Sequence, residues 1–363
     1  MTRAAASPSR IAALGLVGLL GACGGSGDGS PSPSPTTPPV TPGPPFGVRA
    51  VTHVSWWHDG YVGVQADDAR QAIQATRANW AGVLVTWYMD RRDSNTIVPD
   101  PAQTPTDEAV GRAVDHLHAL GFKVMLKPHV DVKDGSWRGT IRPADPGLWF
   151  SSYDAYMTYA ARLAQAHGAE MLDVGTELVT MSDARYASQW AAVIDDVRDA
   201  FTGPLTYAAN ANAPGDEFTS VSFWDLLDYA GLDVYVPLTS HADPSLDELT
   251  SAWRRNVNGD DMVAAYRNWQ AGHGKPVLFT EIGYRSLAGG NRAPYDFSLT
   301  GAPDPTEQAN CYEAAFRIWS QEPWLSGMFW WDWPTTPAPG ANDTDYTPRG
   351  KPAESVLTRW FGA

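Results

Sequence analysis

A chain of 363 residues with 43% hydrophobic and only 18% charged residues can bury one sizeable core. Its net charge of −15 speaks against a nucleic-acid partner, because phosphate binding needs a basic surface. Cys23 and Cys311 are the two cysteines, too few for a disulfide framework.

The N-terminal segment reads as a targeting signal. Arg3 and Arg10 supply a positive start, and Ile11 to Leu20 is an apolar run too short to span a bilayer as a mature helix. The run ends in Leu20-Gly21-Ala22-Cys23, the pattern of a bacterial lipobox. Residues 1–22 are therefore expected to be a lipoprotein signal peptide, with lipid on Cys23. Residues 23–46 are rich in Gly, Ser, Pro and Thr; such a stretch cannot offset its ordering entropy and serves as a spacer. The expected location is extracytoplasmic, at the cell surface or in the periplasm, with the membrane touched only through the lipid. Cys311 falls in the helical pattern Thr306 to Glu322 and reads as a buried, inert thiol.

From residue 47 to 363, strand-like and helix-like segments alternate. The strand candidates are Arg49 to Trp56, Gly82 to Trp87, Lys123 to Pro128, Met171 to Gly175, Leu205 to Ala209, Leu232 to Val236, Val277 to Thr280 and Gly327 to Trp331. Helical patterns include Ala66 to Ala78, Thr106 to Leu120, Tyr153 to His167, Tyr186 to Phe201, Asp260 to Gly272 and a closing Ala353 to Phe361. Eight strand-then-helix units imply a parallel sheet, and their span fits a single-domain (β/α)8 TIM barrel. An open doubly wound sheet is disfavoured, because Trp56-Trp57-His58-Asp59 stands where a Gly-rich phosphate loop would follow the first strand.

In such a barrel the active site lies at the C-terminal ends of the strands. Glu177 ends the fourth candidate strand and Glu281 the seventh, while the other glutamates that can be placed fall on helical faces or in loops. Trp56, Trp57, Trp87, Trp330, Trp331 and Trp333 gather at the same end, with Lys127, His129, Asp131, Asn210 and Tyr235 among them. Flat aromatic faces beside hydrogen-bonding groups suit sugar rings, which have apolar faces and hydroxyl rims. Alternation along a strand puts Lys127 with His129, Asp173 with Gly175 and Glu177, and Phe279 with Glu281 on inward rows. A buried Lys127 would need a partner, and Asp173 or one of the two glutamates is in reach. Gly175 would leave room for a ligand or a neighbouring side chain. His129-Val130-Asp131 as a metal pair lacks further ligands on other strand ends, and no G-x-S-x-G elbow is present. No metal and no cofactor are expected. The alternative reading of the two strand-end glutamates is that they cap loops or pair with Arg185 and Arg285.

Lys127-Pro128-His129-Val130-Asp131, Gly175-Thr176-Glu177-Leu178, Thr280-Glu281-Ile282-Gly283-Tyr284-Arg285-Ser286 and Phe329-Trp330-Trp331-Asp332-Trp333, in this order, resemble glycoside hydrolase family 113. The resemblance spans the chain from about residue 47 onward. It implies a retaining enzyme of clan A, with Glu177 as acid/base and Glu281 as nucleophile. It implies β-1,4-mannan as substrate, with β-glucan or exo-acting β-mannosidase chemistry, or a glycan-capturing lipoprotein without catalysis, as alternatives. Trp56, Lys127, His129, Asp131, Tyr235, Trp330 and Trp331 are the expected sugar-binding set. Tyr235 would bond the nucleophile, and Trp331 or Trp330 would floor the subsite of the cleaved sugar. Thr176 stands where many members of the wider clan carry Asn, which leaves the contact to the sugar 2-hydroxyl to Lys127 or His129. The partner is a β-linked poly- or oligosaccharide, and the protein is expected to be a monomer.

Overall fold

Buried strands form where aliphatic and aromatic residues run without interruption, as in Trp80–Met89, where only the side chain of Trp87 is not fully buried. The structure, a computed structural model, describes residues 46–340 and 342–363. The expected signal peptide, the lipidation site Cys23 and the linker up to residue 45 lie outside the described residues. Phe46, read as the last linker residue, is buried and packs on Phe316 at 6.4 Å between ring centres.

Eight parallel strands close into a barrel. They are β1 (Val48–Val54), β2 (Trp80–Met89), β3 (Lys123–Val132), β4 (Met171–Thr176), β5 (Leu205–Asn210), β6 (Ala230–Val234), β7 (Val277–Ile282) and β8 (Leu325–Pro334). Each pairs with its neighbour in sequence, and β8 returns to pair with β1. The helices are α1 (Val64–Ala75), α2 (Asp107–Ala119), α3 (Pro146–Ala166), α4 (Ala187–Ala200), α5 (Leu246–Ala252), α6 (Met262–His273), α7 (Pro305–Trp319) and α8 (Pro352–Phe361). Their starts are written in the sequence. Asp145 caps the first amides of α3 with Pro146 behind it, and Ser245 with Glu248 forms a capping box on α5. Gly274 ends α6 in the left-handed conformation.

The (β/α)8 expectation holds, with one irregular unit. Between β5 and β6 there is no α-helix, only short 3-10 turns at Glu217–Thr219 and Trp224–Leu226, while β6 and β7 are joined by two helices. The β5–β6 connection carries Pro214-Gly215 and has no helical period. Strands β2, β3 and β8 run two to four residues past their expected ends. That extension places His129 and Asp131 on strand backbone rather than loop.

Two apolar layers hold the barrel. Ala50, Met125, Met171, Leu278 and Phe329 fill its interior at the N-terminal end of the strands. The outer faces of the strands pack on the helices through a much larger cluster. The seam where β8 meets β1 is tight. A Cβ on Gly327 would sit 1.9 Å from the carbonyl oxygen of Val48, its partner in register. Gly327→Ala is therefore expected to cost about 3 kcal/mol of stability through overpacking, read as a lower urea midpoint. An unchanged midpoint would show that the seam has slack.

Candidate active site

The strand ends assemble around one buried cation. Lys127 points into the barrel with no exposed side-chain surface. Its ammonium lies 3.3 Å from Asp173, 3.6 Å from Asp233 and 3.2 Å from Glu281. Burial works against this charge, but the carboxylates of Asp233, Glu281 and Asp173 outweigh it and hold the ammonium above the ordinary lysine range. In return, burial pushes Asp233 and Asp173 above the usual carboxylate range, and Lys127 pulls both back. Asp233 is raised further by the charge of Glu281. Thr280 donates to Asp233 at 2.7 Å, and Thr176 donates to Asp173 at 3.0 Å.

Glu281 is held from three sides. Tyr235 donates to its Oε2 at 2.7 Å, Lys127 stands at its Oε1, and His129 Nε2 lies 3.5 Å from the same oxygen. Burial and the adjacent Glu281 charge raise Tyr235 well above the ordinary phenol range, so its hydroxyl stays a donor. Burial and the positive charges of Arg138 and Lys127 push His129 well below the ordinary imidazole range, so its ring is neutral. The His129 ring lies parallel to Trp331 at 5.8 Å, and Trp56 meets Trp331 edge-on at 6.2 Å.

Glu177 sits across the mouth in a different environment. Asn210 Nδ2 donates to its Oε1 at 3.1 Å and Trp137 Nε1 to its Oε2 at 3.0 Å. Its backbone is left-handed, with φ of 50°, a conformation that costs a residue with a side chain roughly 1–2 kcal/mol. A 2.8 Å bond from its N–H to the carbonyl of Ala208 holds it there. Asn210 is anchored in turn by Glu217, which accepts from its backbone N–H at 2.8 Å. Burial pushes Glu217 up to about 7, against the donors Tyr207, Ser182 and Asn210.

Both glutamates reach the mouth because strand alternation breaks beside them. On β7, Phe279 packs on Tyr266 and Trp319 of the helix layer, whereas Leu278 faces the barrel interior. The expectation that Phe279 and Glu281 share an inward row is thus corrected. Pairing shifts on both sides of β7 let Thr280 and Glu281 both turn inward. On β4 the pairing shifts between Asp173 and Thr176, and Gly175 is not a space for ligand. A Cβ there would meet Tyr153 Oη at 2.5 Å and the Tyr207 ring at 2.8 Å, both outside the barrel.

Other expectations are redistributed. Trp330 is fully buried and stacks on Tyr312 of α7 at 3.7 Å, so it belongs to the helix layer and not to the mouth. Trp87 stacks on Tyr156, and Trp333 donates to the carbonyl of Ala69 in α1. Lys127, expected to touch sugar, is spent on carboxylates beneath the surface. Asp131 pairs with Arg138 at 2.5 Å. Burial opposes the Arg138 charge, but Asp131, Glu177 and Glu281 hold it above its usual range. Neither glutamate pairs with Arg185 or Arg285: Arg185 bonds Asp183, and Arg285 lies beside Asp345. Asp332 is pushed up to about 7 by burial and by Asp345, with Lys351 opposing.

Asp233, Trp137, Arg138 and Glu217 were not singled out from the sequence. Asp233 stands two residues before Tyr235, so the alternation applied to β3 would have marked it. Trp137 and Arg138 come from the connection between β3 and α3, where no period predicts direction.

The family model described as Glycoside Hydrolase Family 113 matches residues 54–351. Among solved structures, the family 113 β-mannanase AaManA from Alicyclobacillus acidocaldarius, in complex with ManMIm, is 31% identical with a TM-score of 0.78. The match covers 88% of this chain and 97% of that one. A second family 113 β-1,4-mannanase structure is 26% identical with a TM-score of 0.77, covering 88% and 99% of the two chains. A β-glucuronidase from Ruminococcus gnavus, 14% identical over 87% of this chain and half of its own, with a TM-score of 0.58, shares the fold alone. No curated protein is similar enough to this chain to count as a match. The match to the family model over most of the described barrel makes this chain a member of glycoside hydrolase family 113.

Proposed function

We propose that this glycoside hydrolase is a retaining endo-β-1,4-mannanase in which Glu281 attacks and Glu177 handles the proton. The observation that carries the reading is the contrast between the two carboxyls. Glu281 is surrounded by a hydroxyl donor, an ammonium and a neutral imidazole. Glu177 lies opposite, in the open part of the mouth, between two neutral N–H donors. The first setting favours a carboxylate with fixed direction, as a nucleophile requires; the second suits a group that gives and takes a proton.

In the first step a Glu281 oxygen forms a bond to the anomeric carbon as the glycosidic C–O bond breaks. Glu177 gives its proton to the departing oxygen. In the second step water attacks the same carbon, Glu177 takes a proton from it, and the ester to Glu281 breaks. Trp331 and Trp56 offer apolar faces to the sugar, and His129 is the hydroxyl partner beside the nucleophile. β-1,4-Mannan as substrate rests on the two β-mannanases to which the chain is similar. The same reading includes lipid on Cys23 and attachment at the outside of a membrane. Cys23→Ala is expected to abolish labelling by an alkyne fatty acid and release the protein from membranes; retained labelling would contradict it.

Glu281→Ala and Glu177→Ala should each lower release of reducing ends from mannan by at least about 10³-fold. The wild type should prefer glucomannan and galactomannan over carboxymethyl cellulose and xylan, with oligosaccharides as early products. Binding of mannan without cleavage would leave a glycan-capturing protein, and single-sugar release from chain ends would make the enzyme exo-acting.

Lys127→Met strands three carboxylates beneath the site. It should cost about 3–5 kcal/mol of stability and most of the activity. Adding Asp233→Asn removes one of those charges, so the double variant should be more stable than Lys127→Met alone. Equal or lower stability of the double variant would show that the cluster is not governed by charge.

A further inference from the structure

The β3–α3 connection sends one side chain across the mouth to the acid/base. Trp137 donates its indole N–H to Glu177 Oε2 at 3.0 Å, while Asn210 donates to the other oxygen. The carboxyl is therefore clamped at both oxygens, once from β5 and once from a loop. The loop is itself fixed. Thr140 donates to the carbonyl of Trp137 at 2.7 Å, Arg138 pairs with Asp131, and Thr180 donates to the carbonyl of Ile141. Gly139 makes room for the ring, because a Cβ there would lie 2.5 Å from two indole carbons. Yet Trp137 is 47% exposed, so much of the ring stays open to whatever enters beside Glu177.

The geometry points to Trp137 as a positioning residue that aims the Glu177 carboxyl at the leaving-group oxygen and offers its open ring to the departing sugar. This inference rests on the two-glutamate reading. A proton donor must face the departing oxygen, and the indole touches that same carboxyl, so the ring borders the leaving-group side. The N–H fixes the rotation of the carboxyl about its last bond. The aromatic face can stack on the pyranose ring that leaves. One side chain thus serves proton delivery and leaving-group binding through separate parts.

Trp137→Phe removes the N–H and keeps an aromatic face. Trp137→Ala removes both. Each full-length variant is compared on mannohexaose, whose leaving group needs a proton, and on 2,4-dinitrophenyl β-mannobioside, whose leaving group does not. For Trp137→Phe, kcat/KM on mannohexaose should fall about tenfold with little change in KM, while kcat/KM on the aryl glycoside stays within about twofold. Trp137→Ala should add a rise in KM on mannohexaose. Gly139→Ala, which displaces the half-exposed indole without removing it, should likewise lower kcat/KM on mannohexaose more than on the aryl glycoside. Glu177→Ala is the reference: it should show the same split in stronger form, with azide restoring turnover of the aryl glycoside. If Glu177→Ala shows no split, the two-glutamate reading fails. If Glu177→Ala splits but Trp137→Phe and Gly139→Ala lower both substrates equally, or neither, the positioning role of Trp137 is overturned.

Discussion

One ammonium inside a barrel decides how this site is built. Lys127 is wholly buried, and a buried charge is tolerated only among opposite charges with good geometry. Three carboxylates from β4, β6 and β7 meet that need within 3.6 Å. Burial raises Asp173 and Asp233 above the usual carboxylate range, and the charge of Glu281 adds to the rise of Asp233. The consequence is positional: strands β3, β4, β6 and β7 are tied at one depth, and Glu281 is the member of the cluster that faces the mouth. Tyr235 then fixes its second oxygen.

The two glutamates reach the mouth by local exceptions. At β7 a register shift breaks the alternation so that Glu281 follows Thr280 inward. At β4 the exception is the left-handed backbone of Glu177. Regular strands would send one of every two side chains to the helix layer, as happens to Trp330. A site that needs consecutive residues on one side must bend its strand, and bulges at barrel rims do this.

These exceptions mark how far the sequence is legible. The closed barrel follows from alternating strand and helix patterns. The strand ends that carry Glu177, His129, Tyr235 and Trp331 follow from where apolar runs stop. The inward placement of Lys127 and Asp173 follows from alternation, because β3 is regular through Lys127 and β4 up to Asp173. Asp233 was equally legible by the same rule. Phe279 and Gly175 were misplaced because a register shift leaves no mark in residue spacing. Trp137 and Arg138 lie on a connection held by the Arg138–Asp131 pair and by the bond from Thr180 to the carbonyl of Ile141, which only the folded chain brings together. The six clustered tryptophans divide between mouth and helix layer for the same reason: composition places them at one end of the barrel and does not choose a face.

In the proposed mechanism Glu281 carries the sugar between the two steps. The most direct measurement is to treat the enzyme with 2-deoxy-2-fluoro-β-mannosyl fluoride, which forms the ester readily and loses it slowly, and to map the label by peptide mass spectrometry. One label per chain is expected, on the peptide containing Glu281 and on that side chain. A label on Glu177, Asp233 or Asp332, or an active enzyme that gives inverted product with no label, would contradict it.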